Sequence, residues 1–271
     1  MTSNKLLWDQ TMPLLKLRGE GARAFLNGQT TADFLNAQDD SLIHSCWLNS
    51  AGRVRAILEV RLIDNGAEVV VLGGDIEDLI RSFDQVIFPA DCVSIAPLME
   101  IRRVQYLDLK QILRFENIRW FLPDQQLLTE VKGCQPLTIK KLQRWRMEHG
   151  LPFDNSELDG KNNPFELGLS NLVSLKKGCF LGQETIAKLA RAGHVKKQLR
   201  FWESDEKIVV GQKLRAAFSN SVPEKTFGVI TSSIADSETG CSFGLAIVSS
   251  SGFLEKEAFI FGDSSRVRLQ V

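Results

Sequence analysis

The region after Arg200 most constrains the fold, because its sequence contains strand patterns and no helix pattern. Five or six short runs rich in β-branched and aromatic residues alternate with Gly, Ser, Asn and Pro. These runs are QLRFWES, QKLRAAF, KTFGVITSSIA, CSFGLAIV, EAFIF and RVRLQV. Short strands separated by turn residues in this way are typical of a small barrel or sandwich. We therefore predict a C-terminal β domain over residues 198–271, with its boundary near Gln198.

Residues 1–197 mix strand and helix patterns, which predicts an α+β region. Near its start, a strand through Leu14–Leu17 leads into a glycine turn. The next residues have helical periodicity and predict a short helix that buries Ala24, Phe25 and Leu26.

An antiparallel meander is predicted next. Three apolar runs are broken at Asn49–Gly52 and Asp64–Gly66, and breaks of this composition are hairpin signals. A helix over Asp75–Phe83 and further short strands follow. We interpret the region 47–125 as the second of two interleaved lobes.

The period changes to that of a helix in LTIKKLQRWRMEHGLP. Its apolar face carries Ile139, Leu142, Trp145 and His149. Gly150, with a proline two residues later, ends the helix. The polar segment FDNSELDGKNNPFELGLSN then forms a loop long enough to indicate a function rather than a mere connection.

Composition excludes some classes of protein. Lys plus Arg and Asp plus Glu both total 33 in 271 residues, so the overall charge gives no argument for nucleic-acid or membrane binding. The first residues show no leader pattern, and no apolar run approaches the roughly 18 residues of a membrane span. We expect a cytoplasmic protein without a membrane partner.

The cysteines predict reduced thiols. Their number is odd, they are widely spaced, and none forms a Cys-x-x-Cys pair, so neither a disulfide framework nor a protein-only metal site is expected. They are Cys46, Cys92, Cys134, Cys179 and Cys241.

One of these cysteines lies in an unusual context. Residues 174–200 predict a short strand, a cysteine between Gly178 and Gly182, and then a helix. Free backbone N–H groups and the helix dipole, with Lys177 nearby, would stabilise a Cys179 thiolate. Such a thiolate could be a nucleophile, a redox thiol or a ligand of a metal or cluster, whereas a buried packing cysteine is the plain alternative.

The same stretch is locally basic. Its positive residues face only Glu184. They are Lys176, Lys177, Lys188, Arg191, Lys196, Lys197 and Arg200. The excess indicates an anionic ligand or a solvated basic helix. No aromatic-rich strand motif accompanies it, so direct nucleic-acid binding is not expected.

The octapeptide KGCFLGQE, Lys177 to Glu184, closely resembles the signature Lys-Gly-Cys-aromatic-x-Gly-Gln-Glu of the YgfZ proteins, which are folate-binding relatives of the glycine-cleavage T-protein. Further blocks match in the same order over nearly the whole chain. They are LRGEGARAFLNGQTTADF, NSAGRV, GLPFD and NPFELGLSNLVSLKKG.

The resemblance implies a three-lobed α+β fold around a central tetrahydrofolate site, with a small C-terminal β-barrel as the third lobe. It also implies a folate-dependent role in supporting iron–sulfur enzymes, including one that modifies tRNA. The expected partners are folate and iron–sulfur enzymes or assembly proteins, with a cluster only as a transient ligand. Cys179 matches the functionally important cysteine, and the rest of the motif supports it: Lys177, Gly178, Gly182, Gln183 and Glu184.

Two positions depart from the related T-proteins, which carry a pair of acidic residues after their second glycine block. Ala56 and Ile57 stand at the matching positions. Because general acid/base or electrostatic catalysis needs a carboxylate there, the classical aminomethyltransferase activity becomes the alternative function rather than the leading one.

Folate contacts are implied at four residues. Glu166, two residues after a proline, matches a T-protein glutamate that reads the pterin, whereas an exposed loop carboxylate is the alternative. Trp145 could supply an aromatic contact to folate or belong to the core. Lys188 and Arg191 could pair with the glutamate tail of a folate.

Overall fold

A mixed sheet of eight strands and a closed barrel of six strands make up the β-structure of the computed structural model. The structure describes residues 6–107, 115–125, 134–216, 225–236, 240–263 and 265–270. The predicted α+β class and the C-terminal β-barrel are confirmed. In the described part of the chain no helix has the length and apolar character to span a bilayer.

The sheet region contains eight strands and two helices. In chain order they are β1 (Leu6–Arg18), α1 (Ala22–Gln29), β2 (Leu42–Leu48), β3 (Val54–Ile63), β4 (Gly66–Gly74), α2 (Ile76–Asp84), β5 (Ser94–Ile95), β6 (Met99–Leu107), β7 (Ile118–Phe121) and β8 (Gln135–Pro136). The strand order is β2-β3-β4-β1-β6-β7, with β5 and β8 also paired to β1.

The antiparallel meander is confirmed by β2, β3 and β4, which pair in succession. Asn65 has a φ of 53° in the two-residue turn between β3 and β4. Asparagine tolerates this left-handed conformation, which a tight hairpin needs.

The first strand is longer than its predicted core. It pairs with β6 along its first part and with β4 along its second. Pro13 lies just before Leu14, where pairing to β4 begins, so its missing N–H removes no bond of that ladder. The prediction for α1 was wrong at one position, since Ala24 is exposed while Asn27 is buried and accepts a hydrogen bond from the Phe34 N–H.

Two helices follow the strands of the sheet and precede those of the barrel along the chain: α3 (Ile139–Glu148) and α4 (Gln183–Ala192). Thr138 caps α3, and Gly150 follows its end with a φ of 67°, as the glycine stop predicts. Ile139 is 78% exposed, so its predicted place on the buried face was wrong. It lies in the first turn of α3, and the buried face begins at Leu142.

The segment directly before Cys179, residues 173–178, forms no strand, contrary to the prediction. Instead, single backbone bonds tie this segment to the end of α1 and the residues after it: Leu181 N–H donates to Gly28 O, and Ser174 N–H donates to Thr31 O, both at 2.9 Å. These isolated bonds fix the loop without a ladder.

The barrel contains β9 (Lys197–Ser204), β10 (Lys213–Arg215), β11 (Thr226–Ala235), β12 (Ser242–Ser249), β13 (Glu257–Ile260) and β14 (Arg266–Leu269). Their order is β10-β11-β12-β9-β14-β13, and β13 pairs with β10 to close it. Closure leaves no free strand edge, which protects these short strands from pairing with other chains.

Alternating residues of the sheet enter two apolar clusters, one on each face. The first contains Trp8 and Met12 of the sheet with Leu142 and Trp145 of α3 and Ile247 of the barrel. The second packs the opposite face against α1 and α2. The candidate site lies on the side of the first cluster.

Candidate functional site

The start of α4 is held by close backbone packing. Gly182, its N-cap, has a φ of 80°, and a Cβ on this residue would lie 2.8 Å from Gly52 Cα and 2.9 Å from Asn49 O. A Cβ on Gly52 would lie 3.0 Å from the Cβ of Thr185. Glycines are therefore required on both sides of this contact. They bring the NSAGRV turn against the helix start.

Cys179 is exposed three residues before the N-cap of α4. Gly178 is also exposed, and a Cβ there would meet no atom within 4 Å. The predicted position beside a helix N-terminus is thus present, and the thiol is open to partners. Gln183 is half-buried, whereas Glu184 faces solvent and pairs with Lys188 at 2.6 Å.

Lys177 has a different environment from the one that its sequence context indicates. Its buried Nζ donates to the carbonyls of Asn27, Thr30 and Ala32 at 2.5, 2.6 and 2.6 Å. Burial lowers the pKa of Lys177 to about 8, yet these acceptors favour the charged ammonium. All its donors thus bind the carbonyls at the end of α1, where the helix dipole is negative.

Glu166 is 6% exposed, which excludes the alternative of a solvent-facing loop carboxylate. Its Oε2 accepts from Arg53 Nη1 at 3.2 Å and from Asn163 N–H at 3.0 Å. Both contacts fall on Oε2, so Oε1 has no partner among the residues that the structure describes. Arg53 was missed as a site residue, although it lies in the matched NSAGRV block.

Trp145, the tryptophan considered for a folate contact, is buried in the first apolar cluster together with Trp8 of β1. Trp145 stacks on His149 with ring centroids 4.5 Å apart, and its Nε1 has no hydrogen-bond partner in the described ranges. Trp8 lies against two guanidinium groups, with Arg103 Cζ 4.2 Å and Arg146 Cζ 4.9 Å from its ring centre. One face of Trp145 is thus already covered by His149.

The positions of the absent acid pair are filled by core residues. Ile57 belongs to the first apolar cluster and Ala56 to the second, and both are completely buried. The strand thus offers apolar contacts where the resemblance to T-proteins implies carboxylates.

A buried carboxylate lies two residues further along the same strand. Glu59 receives Arg103 Nε and Nη2 at 2.8 Å each, Trp120 Nε1 at 2.6 Å and a 2.7 Å contact with His44 Nε2. Burial opposes ionisation of Glu59, but Arg103 and these hydrogen bonds hold its pKa at about 2. A carboxylate so tightly bound is not available as a general base.

This network was not predicted. Since β4 and β1 separate β3 from β6, Glu59 and Arg103 would lie about 14 Å apart in a flat sheet. They meet because the sheet curls, and the signal in the sequence was a single acidic residue within the apolar run of β3, residues 56–60.

The basic residues of α4 lie on its outer surface. Lys188 and Arg191 are exposed, while Glu166 and Trp145 are buried. Arg191 lines a groove of about 300 Å³ together with Leu175, Phe180, Gln183, Ala187 and Ala190. In the described residues, no three His, Cys, Asp or Glu side chains form a group that could hold a metal ion.

A tetrahydrofolate was tested against these residues by their unused hydrogen-bonding atoms. Glu166 offers the free acceptor Oε1, and Trp145 offers the unpaired donor Nε1. Because a buried polar atom without a partner costs free energy, Trp145 Nε1 suits a ligand that has an acceptor, and Glu166 Oε1 can accept a hydrogen bond from a donor of the same ligand. The residues present therefore fit such a group.

No protein-family model matches the chain. A chloroplastic protein of Arabidopsis thaliana, provisionally named a transferase, is 22% identical over 93% of this chain and 66% of its own length. An aminomethyltransferase of Symbiobacterium thermophilum is 23% identical over 72% of this chain and 59% of its own length. The chain thus spans less than two thirds of either relative.

Among solved structures, the glycine cleavage system aminomethyltransferase T of Bartonella henselae superposes with a TM-score of 0.74 at 15% identity. The match covers 99% of this chain and 86% of that one. One of the two sequence relatives and the structural neighbour are named aminomethyltransferases, and this chain has the fold of that neighbour, the T-protein fold.

Proposed function

We propose that the protein binds a tetrahydrofolate at Glu166 and uses the Cys179 thiol to support iron–sulfur enzymes, including clients that modify tRNA. The single observation that carries the folate proposal is the buried Glu166 carboxylate with Oε1 free. Through Arg53, it is linked to the turn that packs on the start of α4, just beyond Cys179.

The chemistry of the pterin supports this role for Glu166. A pterin presents a row of donors, and a carboxylate can accept paired hydrogen bonds from such an edge. Arg53 occupies only Oε2, so one bond can form at once and a second needs the guanidinium to move. When bound, tetrahydrofolate would supply the capacity to carry a one-carbon unit.

The role of Cys179 is supported by its exposure and by its place before a helix N-terminus. A thiolate is the form that attacks electrophiles or binds iron. The support of iron–sulfur enzymes rests on the likeness of Lys177 to Glu184 to the signature octapeptide. A single thiol would act as a transient ligand or as a nucleophile.

The proposal is tested by titrating the protein with tetrahydrofolate while tryptophan fluorescence is recorded. We expect quenching for the wild type and for Cys179→Ala, and a loss of affinity of about tenfold or more for Glu166→Gln, which keeps the size but removes the charge. Glu77→Gln, which alters an exposed carboxylate of α2, is the matched control. Unchanged affinity in Glu166→Gln would exclude this binding mode.

The thiol is tested separately in cells that depend on the protein for iron–sulfur enzyme activity. We expect Cys179→Ala to fold and bind folate normally but to fail in complementation. Full complementation by this variant would remove Cys179 from the mechanism while leaving folate binding intact.

A tetrahydrofolate-dependent aminomethyltransferase is the second candidate, favoured by the names of the matched relative and of the structural neighbour. The buried Ala56 and Ile57 and the tightly bound Glu59 argue against it, since no free carboxylate lies on this strand segment. Formation of methylene-tetrahydrofolate from an aminomethyl donor measures it, and we expect no turnover above the uncatalysed rate.

A further inference from the structure

The outer surface of α4 carries a groove that the folate proposal does not use. The groove holds about 300 Å³ and has mainly apolar walls from Leu175, Phe180, Ala187 and Ala190. Leu175 is 51% exposed, and within α4 only Ile186 is fully buried. A ten-residue helix with so little buried surface has an outer face with no covering element among the described residues.

The stretch of chain that forms this groove, residues 174–200, carries an excess of positive charge. Of the basic residues in the stretch, Lys177 and Arg200 are occupied, since each donates to three or more backbone carbonyls. The exposed remainder has one acidic neighbour, Glu184, which pairs with Lys188. No carboxylate among the described residues pairs with the other four: Lys176, Arg191, Lys196 and Lys197. The balanced charge of the whole chain makes this excess a local feature.

We propose that this groove, lined by Leu175, Phe180, Gln183, Ala187, Ala190 and Arg191, is a docking site for an acidic segment of a partner protein. A large apolar side chain of the partner fills the groove, and its flanking carboxylates pair with Arg191 and the neighbouring lysines. Apolar anchors in a pocket give affinity, and charges around them give orientation and association rate.

The position of Cys179 connects this surface with the proposed thiol chemistry. The exposed thiol lies in the loop between Leu175 and the start of α4, next to the buried Phe180 that forms one wall of the groove. We expect a segment seated on α4 to pass close to the thiol, because Cys179 directly precedes the lining residue Phe180 in the chain. The inference goes beyond folate binding and does not depend on it.

Two other anionic ligands, a nucleic acid and a folate polyglutamate tail, match the positive charge near the groove but not its apolar lining. A nucleic acid would use aromatic side chains for base stacking, whereas the one aromatic lining residue, Phe180, is buried. A folate polyglutamate tail has no large apolar group to fill the space. Both remain outcomes of the test.

The test uses a fluorescein-labelled twelve-residue synthetic peptide with a central Leu-Phe pair flanked by Asp and Glu, and binding is followed by fluorescence anisotropy. We expect it to bind roughly tenfold or more tightly than a peptide with Ser-Ser at the centre or one with Lys in place of the acids. Binding should weaken as salt rises from about 50 to about 300 mM.

Variants locate the contact. Arg191→Glu reverses a charge on the rim and Ala187→Trp fills the groove, and each should weaken peptide binding about tenfold. Lys207→Glu, a charge reversal of an exposed barrel residue, is the matched control and should bind as the wild type does. The affinity for tetrahydrofolate, measured by isothermal titration calorimetry because the variant adds a tryptophan, should be unaltered by Ala187→Trp, which separates a failure here from a failure of the folate proposal.

Alkylation by N-ethylmaleimide, followed by mass spectrometry, provides a readout at the thiol. Saturating peptide should slow the reaction of Cys179 several-fold and leave that of Cys92 unchanged. Cys92 is a suitable internal control because it is exposed and contacts Gly21, before α1, whereas the loop of Cys179 contacts Gly28 near the other end of that helix.

Several results would overturn the docking proposal. Peptide affinity that is insensitive to Arg191→Glu and Ala187→Trp would remove the groove as the contact. Equal affinity for the Leu-Phe and Ser-Ser peptides would show that no apolar side chain of the partner is bound in the groove. Displacement of the peptide by stoichiometric tetrahydropteroyl polyglutamate or by tRNA would assign the surface to folate or to RNA.

Discussion

At the scale of single residues, Lys177 shows that one position of a motif can have a structural task. Its ammonium joins three carbonyls at the end of α1, and it lies 4.9 Å from the centre of the Phe180 ring. The lysine thus ties the loop that bears Cys179 to α1. The positive charge of Lys177 is therefore used in this structural contact rather than in contact with a ligand.

Lys177→Met keeps the length of the side chain but leaves three buried carbonyls without their donor. We expect a loss of about 2–4 kcal/mol in the free energy of unfolding, measured by urea denaturation, since each orphaned acceptor carries a desolvation cost. Lys176→Met, at the exposed neighbouring position, should change it by less than about 0.5 kcal/mol. Equal stability of the two variants would contradict this structural role.

At the scale of elements, the beginning of α4 depends on its glycine contact with the NSAGRV turn. Gly182 combines a positive φ with a backbone neighbour 2.8 Å from its missing Cβ, whereas Gly193 at the other end has a φ of 67° and open space around it. A substitution at Gly193 would therefore carry only the conformational cost of a positive φ, whereas one at Gly182 would add the steric cost of the close backbone contact.

Gly182→Ala should lower the free energy of unfolding by about 1–3 kcal/mol more than Gly193→Ala does, because only the former forces the turn away from the helix. Thermal unfolding of both variants measures the difference. The alkylation rate of Cys179 should change in Gly182→Ala only. Similar effects of the two substitutions would show that the close contact is not rigid.

The curled sheet is a second feature at this scale. Glu59 and Arg103, on strands that are not neighbours, form a fully buried ion pair on its inner face. Each charge has its partner, so the pair is tolerated in the core.

Glu59→Gln leaves the Arg103 guanidinium buried without a full counter-charge, and we expect a cost of about 3–5 kcal/mol in chemical denaturation. Glu68→Gln on β4, which breaks more exposed pairs with Lys16 and Arg61, should cost less than about 1 kcal/mol. The double variant Glu59→Leu with Arg103→Met should recover most of the loss. A small effect of Glu59→Gln alone would mean that Arg103 finds another acceptor.

At the scale of the whole molecule, the loop before Glu166 joins the sheet region to the barrel. Leu199 N–H of β9 donates to Glu166 O at 2.8 Å, so the barrel is bonded directly to the candidate site. Glu157 of the same loop is buried near Thr231 and Ser232 of β11, and neither of its carboxylate oxygens has a hydrogen-bond partner in the described residues. Burial, aided by Asp154 and opposed by the two hydroxyl groups, raises the pKa of Glu157 to about 7.

This carboxyl makes stability fall with rising pH. Because the folded state holds its proton up to about pH 7 and the unfolded state loses it near 4.5, its contribution is complete below about pH 4.5 and is lost as pH rises through 7. We expect Glu157→Gln to match the wild type near pH 4.5 and to be more stable by roughly 2–3 kcal/mol at pH 8. Melting curves across this range measure it, with Glu77→Gln on the exposed side of α2 as control. A constant difference at all pH values would show that Glu157 is already ionised in the fold.

The sequence by itself determined the local elements. Turn residues and side-chain periodicity predicted the meander, the end of α3 at Gly150 and the strands that close into the barrel, because neighbouring residues alone set these features. The resemblance in KGCFLGQE also singled out Cys179 before any contact was known. Where the local pattern failed before Cys179, the cause was hydrogen bonding to a distant segment, the end of α1 and the residues after it. At Ile139 it was the position in the first turn of α3, before the buried face begins.

Only the tertiary structure decided which polar groups meet. Arg53 reaches Glu166 across 113 positions, Arg103 reaches Glu59 across 44, and Lys177 reaches Asn27 across 150. Such contacts depend on how far the sheet curls and on how closely glycine backbones approach, and neither is written in the periodicity of one segment. The motif thus names the residues, while the fold separates those that bind backbone from those that remain open to a ligand or partner.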